Sequence, residues 1–177
     1  SNLGGIFFKS LYTYMNCDLN NIIGTCQYTL NDIDKLYIQK YQKDIDYSVD
    51  DLGKVIDIYT DIDWVEIEFS LATYQTDYNS TTELYTTQIV LLFSDENFQD
   101  DLNNLFDKQL LILFKDNNGI SHVDGIQEDD SGYLITDFSQ DFDTTTPENN
   151  TLKITMQKSS KYNVAIIDDN YISFNNL

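Results

Sequence analysis

Residues 110–126, LLILFKDNNGISHVDGI, decide the fold. Two apolar runs flank Asp116-Asn117-Asn118-Gly119, four residues of the kind that close tight turns. Asn-Gly accepts the positive φ that a hairpin turn demands, so 109–114 reads as one strand and 120–126 as its return. On the returning strand Ile120, His122 and Asp124 share one face, and Ser121, Val123 and Gly125 share the other. The same stretch holds the single histidine of the chain, His122, beside Asp124, which raises the alternative of a catalytic loop carrying an acid and a base. No GxSxG or related nucleophile motif exists to use such a pair. The hairpin is therefore preferred, with His122 expected as a solvent-facing strand residue.

Composition points the same way. The chain has 177 residues, 14% of them aromatic, and its alanines are Ala72 and Ala165 alone. Aromatic side chains suit a pleated surface and alanine suits helices, so strands are favoured. The length suits one domain, 1–177, with one sizeable core. Thirty acids oppose ten bases for a formal charge of −20, and every base is lysine. Such a surface repels phosphate backbones and anionic membrane, and it lacks the guanidinium fork that grips them. No apolar run approaches the roughly 18 residues that span a bilayer. Residues 1–15 lack the apolar core of a signal peptide, so a soluble protein made in the cytoplasm is the expectation.

Outward from the hairpin, short Tyr/Ile/Phe-rich runs broken by Asn, Asp and Gly fill residues 5–60 and read as strands, with 1–14 an N-terminal strand or arm open to use in assembly. Residues 44–51 are acidic and expected at the surface. In WVEIEFSL, residues 64–71, Val65, Ile67, Phe69 and Leu71 alternate with Trp64, Glu66, Glu68 and Ser70, the period of a half-buried strand. A polar link over 75–82 leads to a second strand, YTTQIVLLF, at 85–93. The period then changes. Ser94 can cap a helix, Asp95 and Glu96 suit its first turn, and Phe98, Leu102, Leu105 and Phe106 form one apolar stripe, which predicts a helix over 95–107. After the hairpin come YLITDF, TLKITMQ, YNVAII and YISF as further strands, with Leu152, Ile154 and Met156 pointing one way on TLKITMQ. Residues 139–150 read as a polar loop. The expected fold is mainly β with one α-helix.

The carboxylates invite a metal or glycosidase reading. Asp129-Asp130, Asp168-Asp169 and Asp141/Asp143 are local pairs, but none has EF-hand spacing, and nothing singles out two acids flanking a sugar. Cys17 and Cys26 stand apart from any metal-binding pattern, and whether they pair is left open. The sequons at Asn79 and Asn149 are expected to be coincidences of an Asn/Thr-rich chain, and no Gly-rich loop exists to cradle phosphate. No residue is assigned a catalytic, cofactor-binding or metal role, and no cofactor is expected.

One arrangement is more specific. NLGGI at 2–6 is followed by WVEIEFSLAT, YTTQIVLLF, the acidic SDENFQDDLNNLF, KQLLILFKDNNGISHVDG and LKITMQKSSKYNVAIID. This order resembles virion structural proteins, tail or tail-tube-like, of phages infecting Bacteroidetes. The chain departs from that pattern at 125–132, GIQEDDSG, where the family commonly has a Gly-Leu step. The resemblance implies a tail-tube-like fold, a small β-sandwich or barrel with the one α-helix of about 95–107 packed against it, and subunits that form rings, often sixfold, with other virion proteins. It implies a conduit for DNA with an acidic lumen, no specific nucleic-acid contact, no membrane, and no enzymatic role. Made in the host bacterial cytoplasm, such a subunit ends in the virion. Two other classes remain open on the residues: a monomeric acidic β-sandwich that binds glycans with calcium assistance, and a carboxylate-based hydrolase.

Overall fold

Strand Leu110–Asp116 is buried along nearly its whole length, and the molecule is layered around it. A computed structural model describes residues 31–93, 105, 107–128, 130–141 and 151–174. In chain order the strands are β1 (Asn31–Lys40), β2 (Asp46–Val49), β3 (Val55–Tyr59), β4 (Val65–Glu66), β5 (Leu71–Asn79) and β6 (Leu84–Phe93). They continue as β7 (Leu110–Asp116), β8 (Ser121–Asp124), β9 (Leu134–Asp141), β10 (Thr151–Ser160) and β11 (Ala165–Ile166), before helix α1 (Asp169–Phe174).

Nine strands form one antiparallel sheet in the order β11-β8-β7-β1-β5-β6-β10-β9, with β4 also paired to β1. β1 joins two halves. Asn31 and Asp32 pair with Tyr74 and Thr73 of β5, whereas Ile33 to Lys40 pair with β7. The halves fold over one another. Lys158 on β10 touches Asp124 on β8, five places away in strand order, a separation of roughly 24 Å in a flat sheet. The result is sandwich-like and not a closed barrel, because among the described residues β9 and β11 end the sheet.

Two cores follow from the alternation of β7. Leu110, Ile112 and Phe114 enter the first, between the sheet halves, with Leu36, Ile89, Leu91, Ile154 and Met156. Leu111 and Leu113 enter the second, with Tyr37, Val123, Ile126 and Tyr171, and there the two-stranded β2–β3 sheet adds Val55 and Ile58. Full burial of these five consecutive β7 side chains contributes on the order of 10 kcal/mol before chain entropy opposes it.

The expected hairpin is present. Gly119 N–H donates to Asp116 O at 2.9 Å, Asp116 N–H to Ile120 O at 2.9 Å, and Gly119 takes φ +80°. That is a three-residue loop with its left-handed residue last, the place glycine fills at least strain.

Several expectations need correction. Residues 64–71 are not one strand: β4 ends at Glu66, Ile67 N–H still reaches Leu36 O, and Ser70 N–H reaches Leu92 O on the other half. The chain crosses layers here, so Val65 and Leu71 are exposed while Ile67 is buried. The polar link at 75–82 shrinks to a turn at 80–83, because β5 runs to Asn79 and Thr76 bonds Thr87 across the ladder at 3.0 Å. YISF, 171–174, is helical. Asp168 caps that turn, accepting Asn170 N–H at 2.9 Å, which outweighs the strand preference of Tyr and Ile. YNVAII contributes only Ala165–Ile166 as strand. Residues 139–141 of the expected polar loop belong to β9, and 142–150 lie outside the described residues. Outside them too lie the arm at 1–14, the strands expected over 5–30, Cys17, Cys26, and the helix over 95–107 apart from Leu105 and Asp107. At 44–51 the surface expectation holds except for Ile45, which is buried.

Candidate functional site

The most unusual chemistry is inside the sandwich. β8 ends at Asp124, and Gly125 at φ +94° turns the chain at once, with the position of a side chain there filled by Leu111 Cδ2 at 2.9 Å. The loop returns through Gly132 at φ +73°, whose backbone lies so close to Leu110 that a Cβ would stand 2.9 Å from Leu110 O. Tyr133 then bridges Leu110 through two backbone bonds of 2.8 and 2.9 Å. This loop carries Asp124, Asp130 and Tyr133 into the space between the sheet halves, where Lys158 enters from β10.

Lys158 Nζ contacts Asp124 Oδ1 and donates to Asp130 Oδ2 at 2.7 Å, while its ammonium stands 5.8 Å from the Tyr133 ring centre. Tyr133 OH donates to Asp124 Oδ2 at 2.6 Å. Gly125 N–H donates to Asp124 Oδ1 at 2.9 Å and Ser131 N–H to Asp130 Oδ1 at 2.8 Å. Ser160 Oγ reaches Asp130 Oδ2 at 3.5 Å, and Tyr41 OH donates to Asp130 O. The side chains of Lys158, Asp124 and Asp130 expose 1% or less of their surface. One cation thus faces two carboxylates without solvent. Burial pushes the Asp124 carboxyl up, and the Lys158 ammonium and the Tyr133 hydroxyl only partly oppose it. Burial, then the Asp124 charge, pushes Tyr133 well above the ordinary phenol range.

Sequence reading missed Lys158, although a signal was there. Leu152, Ile154 and Met156 point inward, and Lys158 is the next residue in phase, so β10 carries a lysine toward the core. A charged residue at an inward position requires a buried partner of opposite sign.

His122 has a different role from the one expected. It shares the inward face with Asp124, as the alternation predicts, but its partner is Asp116: Nε2 lies 3.0 Å from Oδ2. Its ring stacks on Phe114 at 4.8 Å and leans on Tyr74 at 5.6 Å, so its side chain is only 12% exposed and the solvent-facing expectation fails. The sheet folds over β8, which covers the face that an isolated hairpin would leave wet. Asp116 also accepts Asn118 N–H and Ile120 N–H at 2.9 Å, so the pair fastens the hairpin turn. Ser121 faces away and bonds Asp169, so the hydroxyl next to His122 in sequence is not presented to it.

Asp168 caps α1 and receives Lys54 Nζ at 2.9 Å; the Asn170 N–H first, then Lys54, hold its carboxyl below the usual range. Asp129 and Asp143 lie outside the described residues, as does Asn149, whereas Asn79 Oδ1 accepts Thr81 N–H and Thr82 N–H in the β5–β6 turn. Among the described residues no group of three or more His, Cys, Asp or Glu side chains is placed to hold a metal ion. An open groove of about 510 Å³ runs past Lys40, Tyr41, Asp107, Lys108, Gln109 and Leu134. No helix among the described residues is long and apolar enough to cross a membrane. Comparison with protein-family models, curated proteins and solved structures found no match.

Proposed function

We propose that the chain is a phage virion structural protein, a tail-tube or head–tail ring subunit that assembles with copies of itself around a DNA conduit. The reading rests on the order of motifs that resembles such proteins, and one structural observation supports it above others. The β2–β3 hairpin presents apolar side chains to solvent: Val49, Ile56 and Tyr59 are exposed, and Leu52 at its tip is 92% exposed. A separate two-stranded sheet that holds the core with Val55 and Ile58 while showing such residues outward suits insertion against a neighbouring subunit. The charge of −20 without arginine suits a wall along which DNA slides without adhering.

Light scattering on a sizing column, with negative-stain images of the same fractions, tests this. Rings or tubes are expected, and the pair Leu52→Asp and Tyr59→Asp should shift them toward smaller species. A monomer across the full concentration range, unchanged by those substitutions, would overturn the proposal. A monomer stabilised by calcium or glycans would point instead to the binding module.

A further inference from the structure

We propose that Lys158 and Asp124 condense into an intramolecular isopeptide bond that staples the two halves of the sheet, with Asp130 as proton carrier. This inference is independent of the assembly reading. Its basis is the dry contact between an amine and a carboxyl group, built from two layers that the fold holds together. Lys158 Nζ meets the Asp124 carboxyl directly, and the side chains of both, like that of Asp130, are shielded from water. Tyr133 OH holds Asp124 Oδ2, the oxygen that remains as the amide carbonyl and carries the developing negative charge during attack. Asp130 Oδ2 accepts from Nζ at 2.7 Å, where a base for the attacking amine is needed.

The step balances without any further reagent. In the dry cluster the ion pair transfers a proton from Nζ to Asp124, giving a neutral amine beside a neutral acid. Burial already favours the protonated Asp124. The Nζ lone pair attacks Cγ and an N–C bond forms. Asp130 takes the second proton from nitrogen and delivers it to the hydroxyl on Oδ1. The C–O bond breaks, water leaves, and Asp130 returns to its carboxylate. The amide N–H then points at Asp130, which keeps its bond from Ser131 N–H. Two charges that are expensive to bury become one neutral amide. Well-oriented intramolecular reactions reach effective concentrations of about 10⁵–10⁸ M, which is how a fixed contact speeds a reaction that is negligible between free side chains.

The Ser160 hydroxyl and Tyr41 hydroxyl hold Asp130 and its carbonyl, so the proton carrier is positioned from β10 and from the residue after β1. Lys158 comes from β10 and Asp124 from β8, so both halves of the sheet hold the reacting groups in place.

Intact-mass spectrometry of the full chain, purified folded and measured under denaturing conditions, is the direct test. The expected mass is lower than the sequence mass by one water, and proteolysis should yield one branched fragment joining the peptides of Lys158 and Asp124. The Lys158→Met and Asp130→Asn variants should each recover the full mass. Full sequence mass in a wild-type chain that unfolds cooperatively overturns the proposal whatever the variants do. Asp124-Gly125 can also lose water by closing on its own backbone. A loss that survives Lys158→Met and gives no branched fragment therefore overturns it too. A branch at Asp130 in place of Asp124 would overturn the assigned roles.

Discussion

Replacing Lys158 by methionine keeps an unbranched four-atom stem, with sulfur in place of Cδ, and removes the terminal amine and its charge. Asp124 and Asp130 are then left sealed in the sandwich with no positive partner, a change that costs about 3–5 kcal/mol when one member of a buried pair is lost. If the amide is present, its loss also frees a loop between positions 34 apart, worth about 4 kcal/mol by the chain-entropy relation for crosslinks. Both terms are large beside a total stability of about 5–15 kcal/mol. The triple variant Lys158→Met, Asp124→Asn, Asp130→Asn leaves the loop free but removes the buried charge, so it should recover about 3–5 kcal/mol of the loss. Urea unfolding followed by Trp64 fluorescence measures both. The pH dependence supplies a second signature. In Lys158→Met the folded-state pKa of Asp124 stays above its unfolded value, so its contribution is fully present below the unfolded pKa and is lost as pH rises through the folded one. In that window the single variant should weaken by about 1.4 kcal/mol per pH unit relative to the triple variant. Single and triple variants of equal stability, with parallel pH profiles, would refute the picture of an uncompensated charge in the core.

Gly132→Ala forces a side chain into φ +73° and onto Leu110 O, so a loss of about 3 kcal/mol is expected. Gly53→Ala has nearly the same φ, +81°, but open space, and should lose only about 1 kcal/mol in the same urea titration; equal losses would show that the clash is relieved without cost. Ile67→Ala, inside the first core, should destabilise by about 2–4 kcal/mol, whereas Val65→Thr at the exposed corner should change stability by less than about 0.5 kcal/mol. The reverse order would place the layer crossing elsewhere. The cap of α1 should weaken in acid: the folded pKa of Asp168 is depressed, so its contribution is present above the unfolded value and lost as pH falls through the folded one. Trp64, whose Nε1 donates to Tyr171 OH of α1 at 2.9 Å, reports this, and Lys54→Ala should move the acid midpoint upward; an unmoved midpoint would remove Lys54 from the cap.

What the sequence discloses and what it hides divide along physical lines. The β7–β8 hairpin is legible because turn residues at 116–119 and the flanking apolar runs agree. The inward phase of Leu152, Ile154 and Met156 is legible for the same reason, and carried one step further it would have found Lys158. The corner at 67–70 is not legible, since alternation persists in a strand that changes layer and only the partners reveal the change. Nor is the partner of His122. Asp124 is only two residues from His122 and Asp116 six, so proximity in sequence favours the wrong acid, and the choice between them depends on which one Lys158 and Tyr133 reach across the sandwich. Assembly of the cluster from β8, the loop at 125–132 and β10 is a tertiary event that no local pattern records.

The position of β1 has a consequence for synthesis. Its long ladder is with β7, and its short ladders are with β4 and β5, all of which follow it in the chain. On the ribosome β1 therefore emerges long before its principal neighbour, with Leu36, Tyr37 and Ile38 lacking the cover they have in the finished sheet. At about 5–20 residues per second the wait for β7 lasts several seconds. Lys35, Lys40 and Asp34 interrupt the apolar run and act as gatekeepers during that interval. Slower translation between residues 41 and 109 should thus lower the soluble yield of this chain, whereas the same slowing after 116 should not.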